Sequence, residues 1–375
     1  MKIKKKNNIG IIVRDFNIGG IQRFVSHLAS NLNNEIYNIF IVILVKKEMN
    51  GLNMLKSIHK KYIIINPYNK NNILSFFWLK NILNKMDSSI SFGLRSDLMV
   101  GILSKIFKYN NYFVTERGGR INRVAKGPLR IIMFLLDKYI VSKICTGAIS
   151  NSELGKDFLI KNGFNVSKIK VIPNGIKISN YERKININKN YTIGYIGRLE
   201  EFKNVEVLIK AFNIIRKQNN SIQKLVIAGD GTIKYKLKNI TKGIGLKNKI
   251  EFIGFTNDLK NYYESIDIGV IPSKSDGTES FPNVLLEHWK YKVPVLLSDI
   301  KTIRTITNGM NKAIYFNPDD HNDLAKKIIN LVSNKKQMSL MVKEANIYLK
   351  NNFDLNIVIN QYHDYLKNNI KGFRI

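Results

Sequence analysis

Residues 272–287 read PSKSDGTESFPNVLLE, and how this stretch is parsed decides the fold. The apolar residues just before it, 268–271 (IGVI), have the length and composition of a buried strand. The polar residues 273–280 break that run. Pro282 suits the first turn of a helix, where its missing N–H costs no hydrogen bond, and Val284-Leu285-Leu286 give that helix an apolar face. The segment is therefore strand, polar loop, helix. Glu279 falls just ahead of the helix start, where free backbone N–H groups and the helix dipole collect anions. Glu287 stands eight positions on, more than a turn inside.

The same alternation extends in both directions and predicts parallel α/β architecture. Downstream of residue 190, strands are expected at 191–196, 224–228, 250–253, 268–271, 293–297 and 313–316, with a helix over 205–217. Upstream, they are expected at 9–13, 40–45, 62–65, 89–92, 112–115, 148–150 and 168–172, with a helix over 21–31. Pro173-Asn174-Gly175 is a turn signal, and the Asn/Lys-rich stretch 177–190 after it is read as the domain boundary. Residues 355–367 are amphipathic enough for a closing helix. Two Rossmann-like domains with a cleft between them is the economical reading.

Composition bounds the partners. The chain has 375 residues, enough for two cores, and 44% of them are apolar. The one cysteine, Cys145, lies in an apolar stretch, so it reads as a small buried hydrophobe in a reducing cytoplasm. The apolar runs 36–45 and 131–136 fall short of the roughly 20 residues that a bilayer span requires. The net charge is +32, and it is uneven: residues 1–175 hold 28 Lys and Arg against 9 Asp and Glu. Such a balance suits polyanions: anionic lipid, phosphorylated substrates or nucleic acid. Arg117, Arg120, Arg123, Lys126 and Arg130 recur every three to four positions, as a helical stripe or, given Gly118-Gly119 and Gly127-Pro128, as a basic loop.

Several strand ends carry residues suited to a nucleotide. In 193–203, IGYIGRLEEFK, Arg198 and Lys203 follow a strand at the mouth of a parallel sheet. An Arg that grips two oxygens and a Lys that acts as a point charge together suit a diphosphate. Gly229-Asp230-Gly231 closes another strand and allows tight backbone approach, as Asn17-Ile18-Gly19-Gly20 does near the start. Backbone N–H groups of Phe281, Pro282-following Asn283 and Val284 face the same anion-collecting helix start as Glu279. There is no Asp-x-Asp and no clustered His/Cys/Asp set, so neither a metal nor another cofactor is expected.

Taken together these strings resemble the retaining glycosyltransferases of the GT-B fold, family 4 in particular. Glu279 and Glu287 fit its E-x7-E motif. Residues 197–212 fit its G-R-L-x-x-x-K-N…L-I-x-A-F pattern, and 168–175 (KIKVIPNG) and 250–256 (IEFIGFT) fit further elements. The resemblance spans nearly the whole chain and is tightest over 191–300. It implies an acceptor-binding Rossmann-like domain over 1–176, rejoined by a C-terminal helix at 355–375, and a nucleotide-sugar-binding domain over 190–354.

The site roles follow from the same resemblance. Glu279 would contact the donor sugar and Glu287 the ribose, while Arg198 and Lys203 would hold the pyrophosphate. Gly20, Gly229, Gly254 and Phe255 would lie beside the nucleotide, the last two near the base. Arg117 stands where many members have a His after Thr/Ser-Glu, so its expected role is electrostatic, since an Arg stays charged. Ser280, His288-Trp289 and Lys292 also depart from the common pattern, around the glutamates rather than at them.

The implied reaction is transfer of a hexosyl or N-acetylhexosaminyl group, with retained anomeric configuration, from a nucleotide-sugar donor of the UDP type. The acceptor would be a hydroxyl of a lipid-diphosphate-linked bacterial surface glycan: O-antigen, capsule or exopolysaccharide. The protein would then be cytoplasmic and peripheral at an anionic membrane surface, with no nucleic-acid partner. Residues 73–83 (ILSFFWLKNIL) read either as an interfacial helix or as a core-packing one. A different class remains open, a non-catalytic GT-B protein binding anionic membrane or nucleic acid through its basic surface. A decayed site should have lost Glu279, Glu287, Arg198 or Lys203, and all four stand. An epimerase or an inverting transferase would need a base placed elsewhere.

Overall fold

The computed structural model describes residues 5–17, 19–45, 51–56, 61–64, 72–118, 127–179, 181–183, 190–274, 280–309 and 311–374. The chain divides into two compact units, Met1–Gly175 with Leu355–Ile375, and Ile176–Asp354.

The first unit is built on seven parallel strands: β1 (Asn7–Val13), β2 (Tyr37–Ile43), β3 (Lys61–Ile64), β4 (Ser88–Phe92), β5 (Tyr112–Glu116), β6 (Gly147–Ser150) and β7 (Ile169–Val171). Their order in the sheet is β3-β2-β1-β4-β5-β6-β7. The second carries β8 (Tyr191–Ile196), β9 (Ile222–Ala228), β10 (Ile250–Gly254), β11 (Ile268–Ile271), β12 (Val295–Ser298) and β13 (Ile314–Phe316), ordered β10-β9-β8-β11-β12-β13. In both sheets the first strand sits centrally and the chain winds outward one way and then the other. That is the doubly wound order, and its reversal, beside β1 or β8, opens a crevice at the carboxyl ends of the strands.

Strand burial explains why apolar runs served as the signal. Helices cover both faces of a parallel sheet, so strands such as β11 are buried at every position. The helices are one-sided instead: in Val205–Gln218 the residues Val205, Leu208, Ile209, Phe212 and Ile215 face the core at helical spacing. Side-chain caps start several of them, as at Ser152, whose hydroxyl accepts from the Gly155 N–H at 3.1 Å.

The closing helix Leu355–Asn369 returns to the first unit, where Val358, Tyr362 and Leu366 join the core of Ile9 and Ile11. The segment after Gly175 is less of a linker than its composition suggests. Arg183 is almost fully buried and donates to the Tyr263 carbonyl at 2.7 Å and to the Ile266 carbonyl, with Asp267 3.8 Å away. Cys145 is buried. Among the described residues no helix is long and apolar enough to cross a membrane.

Candidate active site

The loops at the carboxyl edge of the second sheet are laced together through backbone. The Gly197 N–H donates to Ala228 O at 3.0 Å, Leu199 N–H to Asp230 O at 2.9 Å, and Gly229 N–H to Gly254 O at 2.7 Å. This lacing requires glycine at Gly229: its φ is +136°, and a Cβ there would stand 1.9 Å from the Gly197 oxygen. The ends of β8, β9 and β10 thus form one rim.

Arg198 and Lys203 stand on that rim, Arg198 just ahead of a 3-10 turn, Glu201–Lys203, and Lys203 at its end. Between them Phe202 offers its ring, with the Arg198 guanidinium carbon and the Lys203 Nζ each 5.4 Å from its centroid. An aromatic face holds cations without neutralising them. Glu200 and Glu201, beside Arg198 in the chain, meet other groups. Glu200 accepts from the Thr232 hydroxyl at 2.7 Å, and Glu201 lies 3.1 Å from Lys236 and 3.9 Å from Lys274. The exposed Arg198 guanidinium therefore presents its charge to solvent at the sheet's mouth. The Tyr195 hydroxyl donates to Arg198 O at 2.9 Å and sets the loop's course.

Across the reversal point, the loop after β11 is pinned to this turn, the Lys274 N–H donating to Phe202 O at 2.9 Å. The helix that follows spans Asn283–Lys290, with Pro282 at its N-cap position and no side chain capping it. Phe281 and Pro282 are buried, and Phe281 packs on Phe353 with ring centroids 5.9 Å apart, so what this start offers a ligand is backbone. Asn283 and Val284 are half-buried in the first turn. Glu287 sits one turn on, and its Oε2 accepts from the Tyr263 hydroxyl at 3.0 Å. Burial and the Glu287 charge push the Tyr263 phenol well above its usual range, so it stays a donor. His288, next along the helix, is buried edge-on to the Tyr263 ring with centroids 5.0 Å apart, its ring over Gly269 and Nδ1 2.6 Å from Val284 O. Burial lowers it to about 4, so it is a neutral packing residue near neutral pH.

The second unit thus brings Arg198, Lys203, Gly229, the Asn283 helix start and Glu287 to one sheet edge. Gly254 ends β10 with φ +74°, and Phe255 beyond it is exposed. Glu279 lies outside the described residues, as do Arg120, Arg123 and Lys126. Gly20 and Arg117 belong to the first unit. Gly20 is exposed and opens the helix Gly20–Asn31.

Arg117 is deeply engaged. It donates to Asn174 Oδ1 and to the Tyr362 hydroxyl, and its guanidinium carbon lies 3.7 Å from the Phe24 ring centroid. Burial draws its pKa below the ordinary arginine value, against the opposing pull of Tyr362 and Glu116. Sequence reasoning missed Phe202, Tyr263 and Arg183. No local pattern marks Tyr263 and Arg183, because each matters through a partner distant in the chain, and Phe202 is one aromatic among cations that carry the motif. Among the described residues no group of three or more His, Cys, Asp or Glu could hold a metal ion.

Comparison with known proteins agrees with this geometry. Residues 177–347 match the family model of glycosyl transferases group 1. The chain is 30% identical over 204 residues to an uncharacterized glycosyltransferase of Methanocaldococcus jannaschii, covering 50% of this chain and 51% of that one. It is 26% identical to the capsular polysaccharide biosynthesis glycosyltransferase CapM of Staphylococcus aureus, over 65% and 66% of the two chains. It is 25% identical to the O-antigen biosynthesis glycosyltransferase WbnH of Escherichia coli, over 89% and 93%. The match spans about half the length of the first curated relatives. In structure it resembles Anabaena HepE in complex with UDP, with TM-score 0.81 and 16% identity over 96% of this chain and all of that one. The fold is GT-B, with two Rossmann-like domains.

Proposed function

We propose that this chain is a retaining glycosyltransferase that moves a sugar from a UDP-sugar to a hydroxyl of a growing, lipid-linked bacterial surface glycan. One observation carries the reading. At the strand-order reversal of the second sheet, Arg198 and Lys203 flank Phe202, and Lys274 ties that turn to the loop leading into the Glu287 helix. Cations at such a reversal point suit a diphosphate, and a carboxylate one turn into the neighbouring helix suits vicinal ribose hydroxyls. The relatives named for capsule and O-antigen biosynthesis support a surface-glycan acceptor. The solved complex of a structurally similar protein with UDP-glucose is consistent with a UDP-sugar donor.

In the reaction the bond between the anomeric carbon and the β-phosphate oxygen breaks, and its electron pair leaves with UDP. Arg198 and Lys203 meet the charge that grows on that diphosphate, which is where preorganised cations accelerate such a step. Glu287 and Tyr263 orient the ribose. Glu279, by its resemblance to the first glutamate of the motif, orients the sugar. The acceptor hydroxyl enters on the face that the diphosphate leaves: its oxygen bonds the anomeric carbon and its proton passes to the departing β-phosphate oxygen.

The test is a proton NMR time course with UDP-, GDP- and ADP-sugars, with and without a bacterial lipid extract. Consumption of one UDP-sugar with an α-linked product, lost in Glu279→Ala, is expected. Absence of both binding and turnover for every donor would sink the enzyme and leave a non-catalytic basic protein.

A further inference from the structure

The helix Pro128–Leu136 and its continuation to Val141 are built inside out. Met133, Asp137 and Val141 point inward, so a carboxylate takes a core position. The opposite stripe, Ile131, Leu135 and Tyr139, faces solvent, and Leu129 and Ile132 beside it are exposed as well. Ile131 is 62% exposed, where an ordinary surface helix would place Lys or Glu.

The neighbouring helices continue this face. Their inner residues, Leu79, Leu98 and Leu103, share one core cluster with Met133, while Phe77, Trp78 and Ile106 remain exposed. An apolar surface of this extent on a water-soluble layer marks a place that something covers.

Charge identifies the occupant. Among the described residues from Leu94 to Lys143 the acidic residues are Asp97, Glu116 and Asp137, and all three are buried. The exposed charges of those helices are cationic: Lys105, Lys108, Arg130 and Lys143. Lys80 and Lys138 lay their ammonium groups near the Phe107 and Tyr139 rings, at 4.3 and 5.5 Å from the centroids. Apolar side chains interspersed with lysines suit the boundary between acyl chains and anionic headgroups. A second copy of this chain would set like charges against each other.

We infer that the outer face of the helices 72–83, 94–107 and 128–141 docks on an anionic lipid bilayer, with Ile131, Leu135 and Trp78 entering the interface. This deepens the proposed function, because it fixes which side of the first unit meets the membrane that would hold a lipid-linked acceptor, but its test is independent of catalysis.

The test uses the full chain and phosphatidylcholine vesicles with and without phosphatidylglycerol. The chain has two tryptophans, Trp78, 62% exposed, and Trp289, 1% exposed, so Trp78 reports the surface against a constant background. Expected are sedimentation with anionic vesicles and a blue shift of the emission, absent in Trp78→Phe. The double substitution Ile131→Ser/Leu135→Ser should weaken partitioning about tenfold or more while the melting temperature and UDP affinity hold. Three results would overturn the inference: no binding to anionic vesicles, binding unaffected by the double substitution, or a wild-type dimer that the substitution converts to monomer. If UDP also fails to bind the wild type, it is the glycosyltransferase reading that fails, and vesicle binding is scored separately.

Discussion

The Tyr263 hydroxyl reaches Oε2 of Glu287 at 3.0 Å while the Tyr263 ring stacks on Tyr291 with centroids 4.8 Å apart, so a buried phenol from one helix fixes a carboxylate on another. This is the contact that aims Glu287. In Tyr263→Phe the ring packing survives and the hydrogen bond is lost. UDP affinity should fall about fivefold, equivalent to about 1 kcal/mol, as titration calorimetry would read. An unchanged affinity would detach Glu287 from the nucleotide.

Arg198→Ala and Lys203→Ala should each weaken UDP binding by about 10- to 100-fold, the range of a charge-assisted hydrogen bond worth about 1.5–3 kcal/mol. Arg198 is exposed and Lys203 half-buried, so melting temperatures should barely move. Comparing UDP with UMP locates the effect. If both nucleotides lose equally, the two cations do not hold the β-phosphate.

Gly229→Ala tests the rim. Backbone strain at φ +136° alone costs of order 1–3 kcal/mol, and the contact with Gly197 O forces the loops apart besides. Gly243, last in the helix Lys234–Gly243, is the control: a Cβ there meets nothing within 4 Å, and Gly243→Ala should stabilise by up to about 1 kcal/mol. Urea midpoints moving in opposite directions are the expected outcome; equal shifts would mean the lacing does not constrain Gly229.

His288 should make the protein acid-sensitive. Its folded value of about 4 lies below the unfolded 6.5, so the unfolded chain binds the extra proton between these pH values. The neutral ring's contribution is complete above pH 6.5 and is lost as pH falls toward 4, by order of 3 kcal/mol. His288→Gln should flatten this part of the stability curve, whatever its absolute stability. A wild-type curve already flat from pH 6.5 to 4 would refute the burial argument.

Arg117→Lys should lower stability by about 2–4 kcal/mol, since a point charge cannot serve Asn174 and Tyr362 together or lie flat on Phe24. UDP affinity should stay within about twofold of wild type, because no charge-assisted bond to the nucleotide would be lost. Thermal melts and titrations on the same preparation separate the two. A stable variant with a large loss of donor affinity would assign Arg117 to the nucleotide instead.

Much of this was legible in the chain. Strands at 9–13, 191–196 and 268–271 announced themselves because strands covered on both faces are nearly continuous apolar runs. The doubly wound fold followed from their alternation with helices. Arg198, Lys203 and Glu287 stood out because their strand ends and helix start have local signatures. The run 131–136 shows the limit. Its apolar letters suggest core, yet Met133 turns inward and Ile131 and Leu135 outward. Likewise the composition of 177–190, read as the domain boundary, gives no sign that Arg183 meets Tyr263, Ile266 and Asp267.

Sequence by itself determined the strand–helix alternation, hence the parallel architecture, and the residue types at the sheet mouth, because periodicity, turn chemistry and strand burial act over a few neighbouring residues. Only the tertiary structure decided that Tyr263 aims Glu287, that Lys274 ties down the Phe202 turn, that Tyr362 claims Arg117, and which side of the helix Pro128–Leu136 meets solvent. Those outcomes depend on contacts across tens to hundreds of residues, where close packing, not local pattern, selects the partner.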